Sequence, residues 1–348
     1  MHALNVSLTR RIALSMLAVG LLACGGGGDA GDSAAAGGAG GKKTFTVAMI
    51  AKSSTNPVFL SGRAGAEAAA KELSQQHGVD VRIDWLTPPN EDAAVQAQRI
   101  AQAVNTGADA ILFAASDAGK VVGAINEAVE RGVPVMTFDS DVPQSKRFSF
   151  YGGDDEAIGR QVVAELAAQL GGKGKIAILG GNQNAPNLQK RVKGAREEAA
   201  KHPGLQVIGT FYHPETPQDA AQEVLRAQNA NPGLQGWAMI GGWPLFTQAL
   251  LNDLDPARVK IVSVDALPAQ LAYVEKGIAP VLFAQPTFEW GHTSVKTIFD
   301  KVYLKKDVPA HVQMELIRVS KDNLGSYARQ LKEWGFTDVD QKYLDQPK

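Results

Sequence analysis

Hydrophobic positions in this chain fall into short apolar runs separated by amphipathic stretches, and the alternation begins at Phe45. The clearest run is 133–138, which closes on the carboxylate of Asp139. A run that short and that apolar suits a strand buried on both faces, as in a parallel sheet. The same pattern predicts strands at 45–51, 79–86 and 109–115, with helices over 57–77, 91–105 and 118–131. Residues 148–151 read as a further short strand running into Gly152-Gly153, a candidate crossover. The series is βαβαβαβ and predicts an α/β fold built on a doubly wound parallel sheet.

A second series follows. Strands are expected at 175–179, 205–212, 236–240 and 259–264, and helices at 187–201, 218–229 and 245–254. The two series superimpose. Residues 47–51 match 176–180 at an offset of 129, which sets Pro57 on Pro186 and Gly65 on Gly194. From Gly78 against Gly204 the offset is 126 and holds without a gap to Phe138-Asp139 against Val264-Asp265. Any two βα series look broadly alike, but an offset that ends with two aspartates in register favours duplication, and hence two similar lobes with a cleft between them. Ligands of open parallel sheets bind beyond the carboxyl ends of the strands, so Asp139 and Asp265 are expected to face each other across that cleft. The remainder predicts a strand at 279–285, a helix at 287–302, a strand at 311–319 and a closing helix at 322–333. The segment after Gln285 is expected to return and complete the first lobe.

Composition adds little to the fold and more to the location. A length of 348 residues and a hydrophobic fraction of 45% allow about two domains with real cores. A formal net charge of −1 gives no basic excess, so no nucleic-acid partner is expected. The single cysteine, Cys24, excludes an intramolecular disulfide. It ends a signal-like stretch: Arg10-Arg11 is a positive n-region, and 12–23 is an apolar h-region too short to span a bilayer. Gly, Ala, Ser and Asp fill 25–41, which reads as a flexible tether reaching roughly 20–25 Å. The expected organisation is a signal at 1–23, Cys24 and a linker at 24–43, an N-terminal lobe of 44–151 plus 286–315, and a C-terminal lobe of 152–285 plus 316–348.

Nothing in the sequence points to catalysis. The six histidines are scattered, without the i, i+4 pair or the Cys/His cluster of a metal site, so no metal is expected. No Gly-x-Ser-x-Gly elbow is present. Gly41-Lys42-Lys43-Thr44 has the end of a phosphate loop, but position 36 is Ala and the segment precedes a strand, so no nucleotide cofactor is expected. What remains is polar and aromatic residues at strand ends. Asn56 is either a ligand amide or a turn residue before a helix-starting proline, with Phe59 as an apolar wall or as core. Ser116-Asp117 reads as a helix cap. Asp139, with Ser140 beside it, is favoured as a ligand residue over a cap. Asn187, Gln189 and Arg191 open the helix after the second lobe's first strand, where Arg191 is alternatively a solvated helix charge. Trp243, after Gly241-Gly242, is a stacking platform or a lid on the core. Gln285 ends a crossing strand, and Trp290 reads as core. Paired carboxylates, amides and aromatic rings suit a neutral polyhydroxylated ligand, because charged acceptors take hydroxyl protons and aromatic faces cover C–H surfaces.

Asn56-Pro57-Val58-Phe59, the strand 134–139, Arg191-Val192-Lys193-Gly194, Val262-Ser263-Val264-Asp265 and Phe283-Ala284-Gln285 together resemble the periplasmic sugar-binding proteins of the ribose/galactose class. The resemblance covers about residues 44–320. It implies a type I periplasmic binding protein fold, two doubly wound lobes joined by a three-strand hinge that closes on ligand. It implies sugar contacts for Asn56, Asp139, Asp265 and Gln285. Three departures stand out: Ser140 and Gln189 occupy positions where ribose-type members usually carry Arg, and Gly242-Trp243 replaces Asn-Asp. Two guanidinium clamps are lost and an indole is gained, which points away from ribose held in the usual way. Leu21-Leu22-Ala23-Cys24 resembles the lipobox of bacterial lipoproteins and implies acylation at Cys24, with Leu22 bulkier than usual. The expectation is a monomeric, extracytoplasmic, lipid-anchored receptor that hands a small sugar or polyol to the permease of an ABC importer. A sensor presenting the same closed form to a membrane kinase or chemoreceptor is the alternative, as is a receptor for a non-sugar ligand. An intracellular repressor would need a DNA-binding helix pair where this chain has a signal and linker.

Overall fold

A computed structural model describes residues 43–346; the signal, Cys24 and nearly all of the linker lie outside the described residues. The first series forms β1 (Thr44–Ile50), α1 (Pro57–His77), β2 (Asp80–Trp85), α2 (Ala93–Asn105), β3 (Ala110–Phe113), α3 (Ala118–Glu130), β4 (Val135–Phe138) and β5 (Ser149–Gly152). The second forms α4 (Asp155–Gln169), β6 (Lys173–Leu179), α5 (Pro186–Ala199), β7 (Gly204–Phe211), α6 (Pro217–Ala230), β8 (Leu234–Met239), β9 (Lys260–Val264), α7 (Leu271–Lys276) and β10 (Val281–Ala284). The chain closes with α8 (Thr287–Ile298), β11 (His311–Gln313), β12 (Ile317–Val319), α9 (Leu324–Glu333) and α10 (Gln341–Leu344).

Two six-stranded sheets result, ordered β2-β1-β3-β4-β5-β11 and β7-β6-β8-β9-β10-β12. The orders are equivalent strand for strand, with β4 and β9 in matching places. All pairings are parallel except β12, which runs antiparallel to β10. The fold is therefore two doubly wound α/β lobes, and the chain passes between the sheets three times: after β5, after β10 and between β11 and β12.

Alternation along the strands explains why each sheet is covered on both faces. Val47, Met49, Leu112 and Phe138 pack toward α1 and α8 through Phe59, Ala66 and Trp290. Ala48, Ile50, Ile111 and Phe113 pack toward α2 and α3 through Ile100, Val121 and Ile125. In the second lobe Ile176, Ile178 and Val262 meet Val162 of α4 and Val192 of α5, while Ala177, Leu179 and Trp237 meet Val224 of α6.

Three expectations are corrected. The helix foreseen at 245–254 is absent: a short 3-10 turn at Trp243–Leu245 gives way to bends and turns. The cause is Tyr273, whose hydroxyl donates to the Thr247 carbonyl at 2.8 Å and accepts from the Leu251 N–H at 3.4 Å. Those two backbone groups are the pair that one α-helical turn would join directly, and a side chain inserted there breaks the ladder. The single strand foreseen at 311–319 is two, because Met314–Leu316 carry the chain from one sheet to the other. Helix α4 has no counterpart in the sequence reading, which took Gly152-Gly153 as a crossover and stopped.

Candidate functional site

The carboxyl ends of β1, β4, β6, β8, β9 and β10 converge on one interlobe cleft, a space of ≈ 340 Å³ that is open to solvent. Its walls touch: Asn187 Nδ2 bonds Asp139 at 3.1 Å and Lys52 Nζ bonds Glu215 at 3.2 Å across the lobes. The lining includes Asn56, Phe59, Asp139, Asn187, Arg191, Trp243, Asp265 and Gln285.

The two aspartates are built alike. Each follows the last residue of its strand, and each donates its N–H to the neighbouring strand: Asp139 to the Tyr151 carbonyl at 3.0 Å, Asp265 to that of Phe283 at 2.8 Å. Each has a left-handed backbone, with φ of 54° and 70°. Non-glycine residues rarely adopt that conformation, and it concentrates at functional sites. Asp139 Oδ1 accepts from Asn187 Nδ2 at 3.1 Å, and Asp265 Oδ1 accepts from Gln285 Nε2 at 2.7 Å. Asp265 Oδ2 also takes the Gly242 N–H at 3.0 Å.

Arg191 ties the halves together. Its Nη2 donates to Gln285 Oε1 at 2.8 Å and lies 4.0 Å from Asp139, its Nε bonds Asp155 at 2.9 Å, and Nη1 reaches the Ile240 carbonyl at 3.3 Å. It is buried, not a solvated helix charge. Burial opposes its charge, but Asp155, Asp139 and Asp265 more than offset that and hold the guanidinium above its usual value. Burial pushes Asp139 up to about 6, against the pull of Lys52 and Arg191. It raises Asp265 as well, against its bonds to Gln285 and Gly242.

The aromatic wall comes from both lobes. Phe59 packs on Trp290 at 5.6 Å and edge-on to Phe138 at 6.3 Å between ring centres. Trp290 lines the cleft as well as the core. The Trp243 indole lies against Gly181 and Gly241, where any Cβ would overlap it, and meets His213 edge-on at 4.7 Å. Those glycines therefore admit the indole, which is lid and lining at once. Asn56 is likewise both: its Oδ1 caps α1 by accepting from Val58 N–H at 3.2 Å, while the residue borders the cleft.

Two expected site residues stand elsewhere. Gln189 is exposed on α5 and bonds the Gln183 carbonyl. Positions 187 and 191 are four apart and share a helix face, whereas 189 is displaced by about 200°. Ser140 is fully buried behind Asp139, with its N–H on the Phe138 carbonyl and its carbonyl holding Ala115. It does not line the cleft.

The sequence reading missed Lys52, Glu215 and Phe246. Lys52 directly follows the apolar run of β1, so the strand-end rule applied to that strand finds it. Glu215 sits four residues beyond β7 in a loop, and no sequence signal marks it. Lys52 Nζ lies 3.2 Å from Glu215 across the lobes and 3.4 Å from Glu91 in its own lobe. Burial works against the lysine's charge, but Glu215, Glu91 and Asp139 hold its pKa above the usual value. Glu215 stays ionised: burial would raise it, yet Lys52 and the Asn182 N–H hold it below the usual range. Burial pushes Glu91 up to about 8, so this acid carries the proton. Among the described residues no group of three or more His, Cys, Asp or Glu could hold a metal ion.

Two duplicated α/β lobes with a polar, aromatic-walled cleft beyond facing strand ends define the type I periplasmic binding protein class. Residues 47–306 match the periplasmic binding protein domain, and the chain belongs to that family. It is similar to the ribose import binding protein of Bacillus subtilis, at 29% identity over 167 residues, which cover 48% of this chain and 52% of the relative. It is similar to the xylitol-binding protein of Mycolicibacterium smegmatis, at 28% over 196 residues, covering 56% and 51%. The chain thus spans about half the length of these curated relatives. Against the ribose import binding protein of Escherichia coli the match is 24% over 285 residues, covering 79% and 90%. Among solved structures, an ABC transporter solute-binding protein from Burkholderia graminis in complex with D-arabinose superimposes with a TM-score of 0.76 at 25% identity, covering 82% of this chain and 98% of that one.

Proposed function

We propose that this protein is an extracytoplasmic receptor for a neutral monosaccharide or related polyol, delivering it to the permease of an ABC importer. The carrying observation is the pair Asp139 and Asp265, two left-handed carboxylates brought to one cleft with an amide beside each. Ionised acceptors flanked by amide donors match vicinal hydroxyl groups, and charge-assisted bonds are the strong ones. Phe59, Trp243 and Trp290 supply the apolar faces that cover the C–H side of a ring. The touching walls make hinge opening the entry step and closure the binding step. Relatives named for ribose and xylitol, and a neighbour holding D-arabinose, support this ligand class. In this reading the protein is a monomeric binder and not an enzyme, held at a membrane by acylated Cys24. A thermal-shift panel of pentoses, hexoses, polyols and amino acids tests it. A ligand at 1,000 times its dissociation constant stabilises by about 4 kcal/mol. A panel in which no sugar or polyol raises the melting temperature sinks the reading.

A further inference from the structure

The cleft contains more charge than its two aspartates account for. Glu215 has φ of 64°, and the non-glycine residues with positive φ among the described residues are Asp139, Glu215, Asp265 and Lys305. Three of those four are carboxylates lining one cleft. The left-handed backbone at Glu215 is held from both sides. Asn182 N–H donates to Glu215 Oε1 at 3.1 Å, and Glu215 N–H donates to His213 Nδ1 at 3.0 Å. The carboxylate is thereby aimed at Lys52 in the opposite lobe, with both side chains almost sealed from solvent, at 3% and 5% exposure.

Each partner also has a neighbour within its own lobe. Lys52 has Glu91 at 3.4 Å, and Glu215 has the Asn182 amide. A strained backbone that sets an acid against a buried lysine of the opposite lobe, on the wall that holds Asp139 and Asp265, is the arrangement of a reading pair.

We propose that Lys52 and Glu215 are specificity-determining residues of the ligand site, donating to and accepting from ligand hydroxyls, and that they restrict the site to uncharged, hydroxyl-bearing ligands. This rests on the receptor reading above. The cations lining the cleft are Lys52 and Arg191. Arg191 is occupied by Asp155, Gln285 and the Ile240 carbonyl, and Lys52 is shared by Glu91 and Glu215. Three carboxylates, Asp139, Glu215 and Asp265, face the ligand. A uronate, aldonate or sugar phosphate brings a further negative charge against them with no uncompensated cation to receive it.

The test is calorimetric titration of the purified chain with neutral pentoses, hexoses and pentitols and with the matching uronates and aldonates. Glu215→Gln, Glu215→Gly and Lys52→Met are titrated beside the wild type. The wild type is expected to bind a neutral member and to bind its acid counterpart at least about 100-fold more weakly. Glu215→Gln and Lys52→Met each lose roughly 10- to 150-fold in affinity, the range for hydrogen bonds to charged groups. Glu215→Gly loses as much affinity while its melting temperature lies at or above that of Glu215→Gln, because glycine relieves the left-handed backbone. A purely structural Glu215 would instead lower the melting temperature in both variants and leave affinity near wild type. Should Lys52→Met fail to fold, the two Glu215 variants decide. Neutral-ligand affinity within threefold of wild type in Glu215→Gln overturns the pair and leaves the receptor reading standing. An acid bound as tightly as its neutral counterpart overturns the charge rule alone. A wild type that binds no member of the panel overturns both proposals.

Discussion

Asp139 and Asp265 hold the same place in two different sheets: each follows the fourth strand from the β2 or β7 edge, β4 or β9, each has a left-handed backbone, and each accepts a hydrogen bond from a carboxamide. The strain is symmetrical, so its purpose is open to a symmetrical test. At such a position glycine is free of the Cβ clash that alanine keeps. Asp139→Gly and Asp265→Gly are therefore expected to be about 1 kcal/mol more stable than the corresponding alanine variants, while all four lose ligand binding. Denaturant unfolding with parallel titration checks this. A glycine variant no more stable than its alanine partner would show that the backbone relaxes once the carboxylate is gone.

The duplication also reaches the helix contacts. A Cβ at Gly65 would overlap the Phe288 carbonyl oxygen where α1 crosses α8, and one at Gly194 would overlap that of Glu156 where α5 crosses α4. Gly65→Ala and Gly194→Ala are expected to destabilise by at least about 1–3 kcal/mol through overpacking. Gly123, on the exposed face of α3, has nothing within 4 Å of a built Cβ. Gly123→Ala should stabilise by about 0.5–1 kcal/mol. Equilibrium unfolding of the three variants reads the contrast, and equal effects at positions 65 and 123 would refute the crossing argument.

Arg191 compensates a buried acid. Removing one partner of a buried ion pair leaves the other charge uncovered and costs about 3–5 kcal/mol. Arg191→Met is expected to destabilise by that order through Asp155. Lys193→Met, two residues on, breaks only exposed pairs with Glu156 and Glu197 and should cost less than about 1 kcal/mol. Adding Asp155→Asn to Arg191→Met should recover most of the loss. No recovery would place the energy in packing rather than charge.

The architecture was legible in the sequence because parallel strands buried on both faces leave unbroken apolar runs, and because the second series repeats the first. Where the pattern misled, the deciding group came from far along the chain. Residues 245–254 carry a helix-like pattern, and only Tyr273 shows why the ladder is interrupted. In the cleft, the strand-end rule pointed to Asp139, Asp265 and Gln285, and the start of α5 supplied Asn187, Gln189 and Arg191 without regard to helix periodicity. The same periodicity, applied strictly, would have removed Gln189. Ser140 was weighed by what relatives carry there, yet it turns behind the aspartate into the core. Glu215 was beyond reach, since a loop glutamate gains meaning only when folding brings Lys52 against it.

Acid should act on stability and on binding in opposite directions. Burial raises Asp139 to about 6 and Glu91 to about 8, against ordinary values of about 4 in the unfolded chain. A carboxyl whose folded pKa is raised contributes stability that is full below its unfolded pKa and is lost as pH rises through the folded one. These two groups therefore make the unliganded protein more stable as pH falls from about 8 toward 5, and Glu91→Gln should flatten the upper part of that slope. Lys52, Arg191, Asp155 and Glu215 are the charged groups bearing on Asp139, and none of them changes charge on the alkaline side of that window in a way that reverses the sign. Binding runs the other way, because a ligand hydroxyl is held by the ionised acceptor. Affinity should be level near pH 7 and weaken by up to about tenfold per unit below about 6. Asp139→Asn should bind weakly at every pH and lose that dependence. Melting temperature and dissociation constant measured together from pH 5 to about 8 separate the two limbs, and an affinity that rises on acidification would remove Asp139 as the acceptor.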